Sequence, residues 1–107
     1  MNKVEERRRF SRFETQLKAK YFIKERKGGW EECTIIDISR NGMKIRFHTC
    51  EKIIVNSTVH LEIYVPKELE PIYIKGILKR VKKEESDFIG SIELTEVLDE
   101  NKLAKLS

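Results

Sequence analysis

Apolar and charged side chains alternate along this chain in short runs separated by turn-forming residues, and this limits the fold more than any other feature. Met43, Ile45 and Phe47 interleave with Lys44, Arg46 and His48, a period of two that sends one set to each face of an extended strand. Leu17, Ala19, Tyr21 and Ile23 alternate in the same way with lysines from residue 16 onward, as do Val59, Leu61, Ile63 and Val65 before Pro66. Further extended runs are expected over residues 30–38, 72–81 and 88–94. Gly76 inside the fifth run suggests a bulge or a close backbone approach.

Turn chemistry separates the runs. Lys27-Gly28-Gly29 supplies one reversal. Ser39-Arg40-Asn41-Gly42 supplies another, and Asn-Gly between alternating runs is a strong hairpin signal because both residues accept positive φ. Residues 66–71, bounded by Pro66 and Pro71, read as a loop, and the polar residues 82–87 as a turn. Asp99 is placed to cap a short helix carrying Leu103 and Leu106. Six short strands without a crossover helix predict an all-β fold, a six-stranded antiparallel β-barrel with a flexible N-terminal arm and a short C-terminal helix. The expected division is a basic arm over residues 1–13, the barrel over 14–97 and the helix over 98–107, in a single domain of 107 residues.

Composition narrows the setting. No run approaches the roughly 18 apolar residues of a membrane helix, and the basic N-terminus lacks the apolar stretch of a secretory leader. A cytoplasmic protein is expected, with Cys33 and Cys50 kept as thiols. The formal net charge is +4. Much of the excess lies in residues 1–12, where Lys3, Arg7, Arg8, Arg9 and Arg12 outnumber Glu5 and Glu6. That arm holds few apolar side chains, so burial alone cannot fix its conformation. A local cationic patch suits a phosphate-bearing ligand or simply a solvated tail.

Two motifs stand out. Arg8 and Arg12 form an R-x-x-x-R pair just before the first strand, and Asp37, Ser39 and Gly42 form D-x-S-x-x-G at the hairpin turn. In this order, about 25 residues apart, they resemble the signature of the PilZ family, bacterial domains that bind the second messenger cyclic di-GMP. Ile89-Gly90-Ser91-Ile92-Glu93-Leu94 is similar to that family's closing strand, with Leu94 where an aromatic residue is commoner. The resemblance implies a single-domain receptor or adaptor that signals to a separate effector protein, its ligand cyclic di-GMP and its site residues Arg7, Arg8, Arg12, Asp37, Ser39 and Gly42.

The ligand's chemistry agrees with those residue types. An arginine fork bonds a phosphate, or a guanine O6/N7 edge, through two donors and stacks on a purine face. A carboxylate such as Asp37 accepts from guanine N1 and N2, the Ser39 hydroxyl donates or accepts, and Gly42 permits a tight turn and close approach. Taken singly, Asp37, Ser39 and Gly42 would equally serve only the turn. By the resemblance, a basic residue at position 7 goes with binding of two mutually stacked ligand molecules. Arg9 and Arg40 face either ligand or solvent. In this reading the arm becomes ordered when ligand neutralises it.

Other classes fit less well. His48, Cys50, Cys33 and His60 lack the spacing of a metal site, no nucleophile–base pattern is legible, and Gly28-Gly29 lacks a phosphate-loop context. No enzyme, metal, other cofactor or nucleic-acid partner is expected. The alternatives are a ligand-free adaptor of the same family and a small basic nucleic-acid-binding barrel.

Overall fold

In the computed structural model, which describes residues 11–26, 28–49 and 52–107, the extended runs become six strands. They are β1 (Phe13–Ile23), β2 (Glu31–Ile38), β3 (Gly42–Phe47), β4 (Thr58–Tyr64), β5 (Ile72–Glu84) and β6 (Asp87–Leu94), followed by helix α1 (Glu100–Leu106). All neighbours are antiparallel and the sheet closes on itself in the order β1-β2-β3-β6-β5-β4. Closure removes free sheet edges. Arg7 and Arg8, and the expected arm up to residue 10, lie outside the described residues.

The inward faces are those of the alternation. Tyr21, Ile35, Met43, Ile45, Leu61 and Ile63 are essentially inaccessible to solvent. Leu106 of α1 joins the same core, and Leu103 packs against it. Asp99 caps this helix as expected, its carboxylate accepting from the Lys102 amide at 2.8 Å. The helix is moored to the β2–β3 turn because the Leu98 amide donates to the Arg40 carbonyl at 2.8 Å.

Three local expectations are corrected. β1 begins at Phe13 rather than residue 16, because a register shift between Glu14 and Leu17 lets pairing continue past an irregular stretch. β5 continues through Lys82, Lys83 and Glu84, so the reversal is only Glu85-Ser86, with Glu85 at φ 55°. The charged residues looked like loop, yet Lys83 lies over the Phe88 ring of β6 and Glu84 approaches Arg46 of β3, contacts that pairing across the sheet supplies. Finally, neither Asn41 nor Gly42 has positive φ. The β2–β3 turn is instead closed by the Ser39 amide donating to the Gly42 carbonyl at 2.8 Å, while the Asn41 carbonyl accepts from Leu94.

Gly76 shows the close approach that its place in a strand suggested. A Cβ there would stand 2.5 Å from Ile92 Cγ2 and 2.6 Å from the Glu93 carbonyl oxygen. The bulge of β5 falls later, between Leu78 and Arg80.

Candidate functional site

Strand pairing brings the two motifs together. Phe13 pairs with Ile38 and Glu14 with Asp37 at the start of the β1–β2 ladder, so Arg12 arrives beside the end of β2. Its Nε donates to Asp37 Oδ1 at 3.1 Å. The Arg12 side chain is 48% exposed and that of Asp37 19%, which leaves this pair open to rearrangement at small cost, since exposed ion pairs contribute little.

A second irregularity orients Asp37. The β2–β3 register shifts between Ile35 and Asp37, so Ile35 and Ile38 are both fully buried although three residues apart. The residue inserted between them frees Asp37 for the outer face, a usual consequence of a bulge.

Ser39 and Gly42 shape the floor. Ser39 is fully buried, and its hydroxyl lies 2.9 Å from Asn41 Oδ1 and 3.4 Å from the Gly42 carbonyl. Its single hydroxyl donor is therefore directed within the turn. A Cβ on Gly42 would come 3.2 Å from the Ile92 carbonyl and 3.8 Å from both Arg12 Nη2 and Ser39 Oγ. The tight contact is the one with the β6 backbone, while Arg12 and Ser39 stand at ordinary van der Waals distance. Arg40 turns away from this group and pairs with Glu100 of α1 at 3.2 Å.

A cleft of about 450 Å³ opens beside these residues on the outer surface of β3, β6 and β5. Its walls include Arg12, Gly42 and Glu93 and also Lys44, Lys79 and Arg80. The last three were not singled out from the sequence. Lys44 was legible as an outward residue of the alternating run, but placing it beside Arg12 required the β1–β2–β3 register. A larger hollow of about 500 Å³, lined partly by Lys18, Glu32 and His48, contains neither motif. The smaller cleft is the one lined by Arg12 and Gly42 of the two motifs.

The residues weighed for metal binding do not converge. Cys33 faces the core, where burial pushes its thiol up to about 12. His48 is exposed on the other side of β3's end, with Nδ1 3.0 Å from the Ser86 carbonyl, and His60 packs against Phe22. Cys50 lies outside the described residues. Among the described residues no three His, Cys, Asp or Glu side chains form a group able to hold a metal ion, and no helix is long and apolar enough to cross a membrane.

Comparison with known proteins gives the same fold. The family model for the PilZ domain matches residues 6–106. The PilZ domain of YcgR from Escherichia coli, solved with c-di-GMP, superposes with a TM-score of 0.71 at 13% identity, covering 94% of this chain and 88% of that one. The Bacillus subtilis inhibitor of motility, MotI/DgrA, superposes with a TM-score of 0.70 at 16% identity. The match covers 92% of this chain and 47% of that protein, so the chain spans about half its length. No curated protein sequence matches.

Proposed function

The chain belongs to the PilZ domain family, and on that premise we propose that it is a cyclic di-GMP receptor that passes its signal to a separate effector protein. The observation that carries this reading is the meeting of Arg12 and Asp37 at 3.1 Å, with Arg12 Nη2 3.8 Å from where a Cβ of Gly42 would stand. The E. coli domain solved with c-di-GMP shares the fold, which supports the same ligand here.

Each group has a distinct task in the proposal. The Arg12 guanidinium, joined by Arg7 and Arg8 from the arm, bonds phosphate or a guanine edge with two parallel donors. Asp37 accepts from a guanine N1–H and N2–H, exchanging its bond to Arg12 for bonds to the base. Ser39 keeps the turn closed, and Gly42 keeps its surface low enough for a planar base to approach. Neutralising the arginines draws the arm against the barrel, and the newly ordered surface is what the effector reads. Arg7 favours two stacked ligand molecules rather than one. No bond is made or broken in this cycle, so the protein acts by binding and not by catalysis.

Isothermal titration of cyclic di-GMP into the full chain tests the reading, with Arg12→Ala and a GTP control. Saturable binding weakened about 10- to 100-fold in the variant is expected, the range for losing a charged hydrogen-bonding partner. A stoichiometry near two would support the role given to Arg7. Absence of heat at high micromolar ligand, with the chain folded, would reject the receptor reading. Hydrogen exchange over residues 4–14 tests the arm, and equal exchange rates with and without ligand would sink the ordering step.

A further inference from the structure

The strand registers create a row of side chains that sequence spacing does not reveal. Asp37 pairs with Lys44 across β2 and β3, Lys44 with Ser91 across β3 and β6, and Ser91 with Arg80 across β6 and β5. Three inter-strand steps span roughly 14 Å. Arg12 stands at the Asp37 end of the row through its 3.1 Å ion pair, and Arg80 stands at the other.

Arg80 reaches the outer surface only because β5 is irregular. Leu78 points into the core, so strict alternation would send Lys79 outward and Arg80 inward. The register shift between Leu78 and Arg80 inserts Lys79 as an extra residue, and both cations then line the same cleft. Val81 returns to the inner face, opposite Gly90. A bulge that places two consecutive cations on one side of a strand concentrates positive charge where a regular strand would divide it.

Among the described residues, the cations at this end of the cleft have no ion-pair partner. Arg12, Arg26, Arg40 and Arg46 each have a carboxylate partner, Asp37, Glu31, Glu100 and Glu84 respectively. Arg80 is the one arginine among the described residues with no ion pair, and Lys44 and Lys79 likewise have none among those residues. Glu93 is the single acidic residue lining the cleft, against four cations.

We infer that Arg80, assisted by Lys79 and Lys44, forms a second anion-holding wall that takes the phosphodiester of the cyclic dinucleotide lying away from Arg12. This inference rests on the receptor reading above. It assigns the ligand an orientation: laid across β3, β6 and β5 along the cross-strand row, one end at the two motifs and the other at the β5 bulge. A guanidinium with no carboxylate partner among the described residues offers its full fork to a phosphate, and two neighbouring ammonium groups raise the local anion concentration.

The test is titration calorimetry with the full chain and four single variants: Arg80→Ala, Arg80→Lys, Lys79→Ala and, as a control on β1 outside the cleft, Lys20→Ala. Thermal melting of each verifies folding, and Lys79→Ala keeps the question open to measurement if Arg80→Ala proves unstable. We expect Arg80→Ala to weaken cyclic di-GMP binding about tenfold, Lys79→Ala less, Arg80→Lys to recover most of the loss, and Lys20→Ala to bind as the unaltered chain does. Residual binding by Arg80→Ala should also fall less steeply with added salt.

Unchanged affinity in Arg80→Ala and Lys79→Ala, with the unaltered chain binding normally, would overturn the inference and leave the receptor reading intact. Equal losses in Arg80→Lys and Arg80→Ala would overturn the phosphate assignment, because an ammonium still holds a phosphate as a point charge. Failure of the unaltered chain itself to bind would overturn both.

Discussion

At the scale of single residues, the glycines separate positions that need the absence of a side chain from positions that tolerate one. Gly76 has the Glu93 carbonyl 2.6 Å from where its Cβ would be. Backbone cannot retreat as a flexible side-chain tip can, so Gly76→Ala should destabilise the fold by about 2–3 kcal/mol, measurable by urea unfolding. Gly29 has nothing within 4 Å and no positive φ. Gly29→Ala should therefore be neutral or stabilising, by up to about 1 kcal/mol, through the unfolded chain's lost freedom. Gly42 lies between them, its virtual Cβ 3.2 Å from the Ile92 carbonyl. There a methyl group would press on β6 and occupy the surface where a base approaches, so Gly42→Ala should lower ligand affinity more than it lowers stability.

At the scale of elements, helix α1 is short, and its stability comes from what it buries. Seven residues are too few for a helix to persist alone in water. Leu106 is 1% exposed, the Asp99 cap satisfies one amide of the first turn, and Arg40–Glu100 and Leu98–Arg40 bonds fix the helix to the β2–β3 turn. Leu106→Ala should cost about 2–4 kcal/mol by leaving a cavity in the core, and Asp99→Ala about 1 kcal/mol. Both would appear as lowered midpoints in chemical unfolding. The turn bearing Asp37, Ser39 and Gly42 thus has the helix as its neighbour, and loosening one should speed amide exchange in the other.

For the whole molecule, burial of neutral acids sets the alkaline limit. Burial pushes the Cys33 thiol from 9.0 up to about 12. Burial also raises the Tyr21 hydroxyl from 10.0 to about 12, assisted by its hydrogen bond to Glu31. Both groups stay protonated in the folded chain while the unfolded chain begins to ionise near 9 and 10. Their contribution to stability is complete below about pH 9 and is lost as pH rises towards 12. Melting temperature should fall over this window, and less steeply in Cys33→Ala. In a Cys50→Ser background, Cys33 should resist alkylation at about pH 8 until the protein unfolds.

The amino-acid sequence by itself determined the number of strands, the inward faces of β1, β3 and β4, the place of the capped helix and the two motifs, because period-two patterning, turn residues and caps act over a few neighbouring positions. It misjudged the residue 82–87 turn and the φ angles at Asn41-Gly42, where long-range pairing and the docking of Leu94 and Leu98 override local preference. Only the tertiary structure decided that Arg12 meets Asp37, that Ser39 is enclosed by its own turn, and that Lys79 and Arg80 share a cleft with Lys44. Those outcomes depend on inter-strand register and on bulges, where one inserted residue reverses the face of all that follow. Register is a property of two strands together, and no single run of residues contains it.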